Sequence, residues 1–212
     1  MLSLNNIQFT QLDPGSYCAT ATLEGVLPIL KTNTPTAQSL KRQDQRQGVR
    51  LLLQKLLDEL AIVDTLEELE FPYRLSRHGH YVCFSHSANK VAVAISHKQA
   101  IGIDVEINKV AWQVAKRYYH PSEIAMLELL PMAKRDYLVK LLWQIKESFI
   151  KIDQNKLAAG LGMPYPALTQ QLLTNDMLTN RLFDSSFTDL NDRSFSQHQL
   201  TILKAQQTVI VF

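Results

Sequence analysis

Several large classes of chemistry are excluded by what this chain lacks. It contains only two cysteines, Cys18 and Cys83, far apart and without a CxxC partner. That leaves neither the clustered ligands of a zinc site nor the paired thiols of a secreted disulfide scaffold. Both read as strand residues in a reducing compartment. There is no GxxxxGK[ST] phosphate loop, no convincing Ser-His-Asp arrangement and no catalytic cysteine. No stretch approaches the ~20 apolar residues that span a bilayer. The segment from Met1 to Pro14 has neither the basic start nor the apolar run of a signal peptide. A cytoplasmic protein without membrane association is expected. A formal net charge of +2 gives no argument for nucleic acid. Any anion site must therefore come from locally concentrated basic residues.

Hydrophobic residues at 46% and charged residues at 20% are the balance of a soluble globular protein. At 212 residues the chain can build one sizeable core or two modest subdomains. Alternation predicts a strand over Tyr17 to Leu23. A turn-like Thr32 to Pro35 then leads into a long helix, whose stripe is Val49, Leu52, Leu53, Leu56, Leu57 and Leu60. Pro72 opens an irregular stretch before a strand from Tyr81 to Phe84. Apolar runs at Lys90 to Ile95 and Ile101 to Ile107, joined by His97-Lys98-Gln99, predict a hairpin. Short helices are expected over Trp112 to Tyr119 and Pro121 to Leu130, with Pro131 as a breaker. A longer helix follows from about Lys134 to Lys151, and strands close the chain at His198 to Leu203 and Thr208 to Phe212. The polar Thr174 to Arg193 reads as a mobile loop. No sequence repeat is visible, but the order strand, helix, strands occurs twice. That order predicts an α+β fold of two halves side by side, residues 1–100 and 101–212.

Three short segments carry possible chemistry, each with a plain structural alternative. In Gly102-Ile103-Asp104-Val105-Glu106, a strand puts Asp104 and Glu106 on one face and Ile103 and Val105 on the other. Paired carboxylates suit a hard cation such as Mg²⁺; the alternative is a solvated outer face. In Trp143-Gln144-Ile145-Lys146-Glu147-Ser148-Phe149-Ile150-Lys151, Trp143, Glu147 and Lys151 line one helix face. Glu147 could be a third metal carboxylate and Lys151 a phosphate contact, or the two could form a surface pair. Ser85-His86-Ser87 follows Phe84 as a predicted turn rich in hydrogen-bond donors for an anion, or as a turn satisfying its own backbone.

Together, Ser-His-Ser, then Gly-Ile-Asp-x-Glu with Asp104 eighteen residues after His86, then Trp-x-x-Lys-Glu-Ser-Phe-x-Lys, resemble the 4'-phosphopantetheinyl transferase superfamily. The longer single-chain branch typified by surfactin-synthetase transferases is the nearer match, and the resemblance runs from about Arg42 to Leu161. It implies a pseudo-dimer of two similar α/β subdomains, each a small antiparallel sheet packed on a long helix, forming one structural unit with coenzyme A between the halves. It further implies a holo-acyl-carrier-protein synthase: transfer of the 4'-phosphopantetheine of coenzyme A to a serine of an apo acyl or peptidyl carrier protein, with release of 3',5'-ADP.

By the same resemblance, Asp104, Glu106 and Glu147 would hold Mg²⁺ against the coenzyme A pyrophosphate. Lys151, His86 and the Ser85 turn would contact that pyrophosphate. Arg42, Arg46 and Arg50, four apart on the first helix, would receive the 3'-phosphate. Glu123, in Arg117-Tyr118-Tyr119-His120-Pro121-Ser122-Glu123, or Glu147 would be the general base; a helix-start acid is the alternative for Glu123. One departure from the family pattern is Phe71, ahead of Pro72, where relatives often carry lysine; Arg74 and Arg77 lie nearby as substitutes. Lys116, Arg117, Lys134 and Arg135 are possible docking residues for an acidic carrier. A monomer is expected. The rival readings are a metal-dependent phosphohydrolase and a non-catalytic carrier- or coenzyme-A-binding module.

Overall fold

The structure, a computed structural model, describes residues 2–24, 35–174, 185–187 and 198–212. The chain divides into two compact units, Met1–Ala100 and Ile101–Phe212. The fold is α+β: every strand pairing is antiparallel, and six helices occur among the described residues.

The first unit contains β1 (Ser3–Asp13), β2 (Ser16–Glu24), helix α1 (Pro35–Glu59), β3 (Leu66–Glu67), β4 (Tyr73–Leu75), β5 (Tyr81–Ser87) and β6 (Lys90–Ser96), with sheet order β1-β2-β6-β5-β4-β3. Its core is the predicted helix stripe, Val49, Leu52, Leu53, Leu56 and Leu57, against the alternate residues Ala19, Ala21 and Leu23 of β2 and Val91, Val93 and Ile95 of β6. Gly48 sets how closely helix meets sheet, since a Cβ there would come within 2.4 Å of the Leu23 side chain. Cys18 and Cys83 are buried residues of β2 and β5.

Strand β1 was not foreseen. Register shifts between Asn5 and Gln8 and between Gln11 and Asp13, with Asn6 at φ 52°, break its period-2 pattern. Two further expectations are corrected. Ser85-His86-Ser87 is not a turn but the paired end of β5, opposite Ala92, Val91 and Lys90, so the reversal falls one residue later. Nor do the two apolar runs form a hairpin. β6 pairs with β2 and β5, whereas the second run enters a different sheet. A short polar link between two apolar runs carries no information about which partner each run chooses.

The second unit begins with that run, β7 (Gly102–Val105). It continues through α2 (Trp112–Tyr118), α3 (Pro121–Glu128), α4 (Met132–Asp153), α5 (Leu157–Gly162) and α6 (Pro166–Thr174) to β8 (Ser185–Phe187), β9 (Leu200–Leu203) and β10 (Thr208–Val211). Its sheet order is β7-β10-β9-β8. Helix α4 supplies Leu138, Leu141, Leu142, Ile145 and Phe149 to a core completed by Leu200, Ile202, Val209 and Val211. Pro131 does stop the preceding helix, standing as the N-cap of α4. Helices α5 and α6 were not foreseen. The expected turn at residues 32–34 and most of the expected loop from Thr174 to Arg193 lie outside the described residues. Among the described residues, no helix is long and apolar enough to cross a membrane.

Candidate active site

Strand β7 pairs with β10 in the register Asp104 opposite Val209 and Gly102 opposite Val211. Alternation puts Gly102 and Asp104 on the face turned to α4, with Ile103 and Val105 buried on the other. Gly102 is needed there: a Cβ would lie 2.0 Å from the backbone carbonyl oxygen of Ser148. Without that side chain, helix and strand backbones approach directly. The next residue on the same face, Asp104, thereby lies against α4 within reach of Lys151.

Lys151 makes the contact. Its Nζ donates to the backbone carbonyl of Ile103 at 2.7 Å and meets Asp104 Oδ1 at 3.1 Å. Both side chains keep an edge toward solvent, 21% for Lys151 and 10% for Asp104. Glu147, one turn before Lys151, is half-buried, and its pKa is raised. Burial is the main cause, nearby Asp104 and Glu106 add to it, and Lys151 opposes. Glu106 lies just past the strand, where its Oε1 accepts from the Asn108 amide at 2.8 Å. Three carboxylates and a lysine thus share one electrostatic neighbourhood at the junction of β7 and α4.

An oxygen-only donor set suits Mg²⁺ in kind. The present contacts do not close into a metal site, however. Asp104 is ion-paired, and among the described residues no three His, Cys, Asp or Glu side chains converge to hold an ion.

Glu123 has a different environment. It occupies N3 of α3, where its Oε2 accepts from the His120 amide at 3.2 Å in a capping box and its Oε1 accepts from the Tyr165 amide at 3.0 Å. Lys146 Nζ sits 2.9 Å from Oε2, and both side chains have no exposure at all. That ammonium also donates to the Met163 carbonyl at 2.5 Å and lies 5.3 Å and 4.7 Å from the Tyr119 and Tyr165 ring centres. Burial lowers the Lys146 pKa, and Glu123 opposes the shift. A carboxylate sealed and occupied on both oxygens matches the helix-start alternative for Glu123 rather than an accessible base. The sequence motif alone assigns Lys146 no role. The available signal was a lysine four residues after Leu142, within the stripe that buries α4.

In the first unit, Ser85 and Ser87 of β5 are buried and His86 between them is exposed, as strand alternation requires. Arg42, Arg46 and Arg50 are exposed along α1. Arg50 is already engaged: its guanidinium forms a fork with the Glu68 carboxylate, Nε to Oε1 at 2.7 Å, and donates to the Arg46 carbonyl at 2.7 Å. Phe71 packs edge-on against Tyr73 at 5.2 Å, and Arg74 covers the Tyr81 ring at 4.1 Å. Of the basic residues considered for docking, Lys116 pairs with Glu128 at 2.9 Å and Arg135 lies 4.8 Å from the centre of a Trp112 ring.

Comparison with known proteins adds to this geometry. Residues 100–202, which include β7 and the whole of α4, match the 4'-phosphopantetheinyl transferase superfamily. The chain is 29% identical over 133 residues to "Putative 4'-phosphopantetheinyl transferase slr0495" of Synechocystis sp. (strain ATCC 27184 / PCC 6803 / Kazusa), covering 57% of this chain and 52% of that protein. It is 32% identical over 118 residues to a 4'-phosphopantetheinyl transferase of Bacillus subtilis, covering 55% and 50%. The matched stretch spans about half the length of each relative.

Proposed function

With residues 100–202 forming a 4'-phosphopantetheinyl transferase superfamily domain, we propose that the chain transfers the 4'-phosphopantetheine of coenzyme A to a carrier-protein serine. The serine oxygen forms a bond to the β-phosphorus, the pyrophosphate P–O bond breaks, and 3',5'-ADP leaves. The observation that carries this reading is Lys151 standing beside Asp104 and Glu147 at the β7–α4 junction, inside the matched region.

Lys151 would exchange Asp104 for a pyrophosphate oxygen and stabilise charge developing on the leaving group. Glu147 is the better candidate base, because burial raises its proton affinity while Glu123 is sealed. Such a base contributes about 10²–10⁴-fold. The oxygen donors Asp104, Glu106 and Glu147 are proposed to take Mg²⁺ when coenzyme A is present; the ion would offset pyrophosphate charge. The first unit would supply His86 and Ser85 to the pyrophosphate and Arg42, Arg46 and Arg50 to the 3'-phosphate. Arg50 must leave Glu68 to do so. The acceptor is an apo acyl or peptidyl carrier protein, and the chain is proposed to act in the cytoplasm as a monomer of the surfactin-synthetase-type branch.

Intact-mass analysis of apo carrier proteins, incubated with the protein, Mg²⁺ and coenzyme A, tests this. A phosphopantetheine increment on the carrier serine, absent with Asp104→Ala, is expected. Coenzyme A cleavage without carrier labelling would replace the reading with a phosphohydrolase, and binding without turnover would replace it with a binding module.

A further inference from the structure

Gln144 lies on α4, one turn before Glu147, and is 4% exposed. Its Nε2 donates to two backbone carbonyls, that of Asp104 at 3.2 Å and that of Gln207 at 2.7 Å. Both neighbours are acceptors only, so the amide nitrogen is the one atom that can face them, and its two hydrogens are both used. The Gln207 carbonyl also accepts from the Glu106 amide at 3.2 Å. A chain of hydrogen bonds therefore runs from the Asp104 carbonyl through Gln144 and Gln207 to the Glu106 amide. It encloses the stretch of backbone that carries both carboxylates.

This is also where the sheet ends. The last β7–β10 pair is Val105 with Thr208, and beyond it the chain leaves the strand. Gln207 itself is a non-glycine residue at φ 52°, in the left-handed region, which its surroundings must hold. One turn earlier on α4, Lys140 Nζ binds the Gln207 side-chain Oε1 at 3.0 Å. The helix thus grips Gln207 by its carbonyl and by its side chain. It is the same helix that carries Glu147 and Lys151.

We infer that Gln144 is a positioning residue: it fixes the Asp104–Glu106 backbone against α4, so that the strand carboxylates hold a set relation to Glu147 and Lys151. The inference rests on the proposed reading of that carboxylate set, and it adds a residue that the sequence alone gave no reason to single out.

Two variants of the full chain test it. Gln144→Leu removes both donors, and Gln144→Glu keeps the shape while presenting oxygens to the two carbonyls. Amide hydrogen exchange at Asp104–Glu106 should rise about tenfold in both, with the α4 amides of Leu141, Leu142 and Ile145 unchanged. Carrier labelling should slow by about 10–100-fold in kcat, with KM for coenzyme A little altered. Gln144→Glu regains one donor when protonated, so its deficit should narrow as pH falls, whereas that of Gln144→Leu stays flat. Unchanged exchange at Asp104–Glu106, or a rate loss matching only the unfolded fraction seen by melting, would overturn the inference. If the wild type labels no carrier, the functional reading fails, and exchange at Asp104–Glu106 alone decides the positioning.

Discussion

Helix α4 carries two lysine–carboxylate pairs five residues apart, and their surroundings differ. Lys146 and Glu123 have no solvent exposure, and every polar atom of the pair described above is met by a backbone group, a ring face or the partner charge. Lys151 and Asp104 meet at a longer distance, retain an open edge and lie beside two more carboxylates. A sealed pair with satisfied neighbours holds elements together; it has nothing left to offer a ligand. An open pair crowded by like charges can exchange partners, which is what binding a phosphate requires. The two pairs thus differ in burial and in the carboxylates around them.

The largest expected effect comes from breaking the sealed pair. Lys146→Met leaves the Glu123 carboxylate buried without its cation, and urea unfolding should show a loss of about 3–5 kcal/mol. Next is Gly102→Ala, which touches neither pair. Its methyl meets the Ser148 backbone, so β7 must move off α4; a loss of about 1–3 kcal/mol is expected, with labelling reduced more than folding. Lys151→Met should lie lower in stability effect, at about 1–2 kcal/mol, between the values for exposed and buried pairs. It should nonetheless abolish most carrier labelling, the inverse of the order expected for Lys146→Met per folded molecule.

The smallest change is Glu147→Gln. Because the folded pKa of Glu147 is raised, the native state holds its proton where the unfolded chain has released it. Stability therefore falls as pH rises from the ordinary glutamate value of 4.5 through the folded pKa. Removing the carboxyl should stabilise the protein modestly at pH 7, and melting curves of variant and wild type should converge below about pH 4. A gain that persists at low pH would mean that repacking rather than charge is responsible.

Much of this was legible in the sequence because it follows a period. The stripes of α1 and α4, the strand from Tyr17 to Leu23 and the final strands all came from regular spacing. What escaped was non-periodic or non-local. Strand β1 is bulged, β6 takes the distant β2 on its second edge, β7 pairs with the distant β10, and α5 is too short for a stripe. For the site, spacing identified Glu147 and Lys151 as facing residues. It could not tell Glu123 from an accessible acid, since its capping and its lysine partner come from α3, α4 and the start of α6 together. Gln144 looked like any polar residue on a helix until the carbonyls it serves were in place.

Within eight residues of α4 stand Gln144, Lys146, Glu147 and Lys151; Lys146 is directed to Glu123 and the other three to the Asp104–Glu106 segment. An α-helix turns about 100° per residue. One residue gained or lost just before Gln144 would therefore swing all four groups at once, bringing a charge into the core and an apolar side chain to the carboxylates. A substitution along this segment disturbs one of these contacts, whereas a change of length disturbs all of them. The count of residues between Pro131 and Gln154 should be the most rigid property of the chain over evolutionary time.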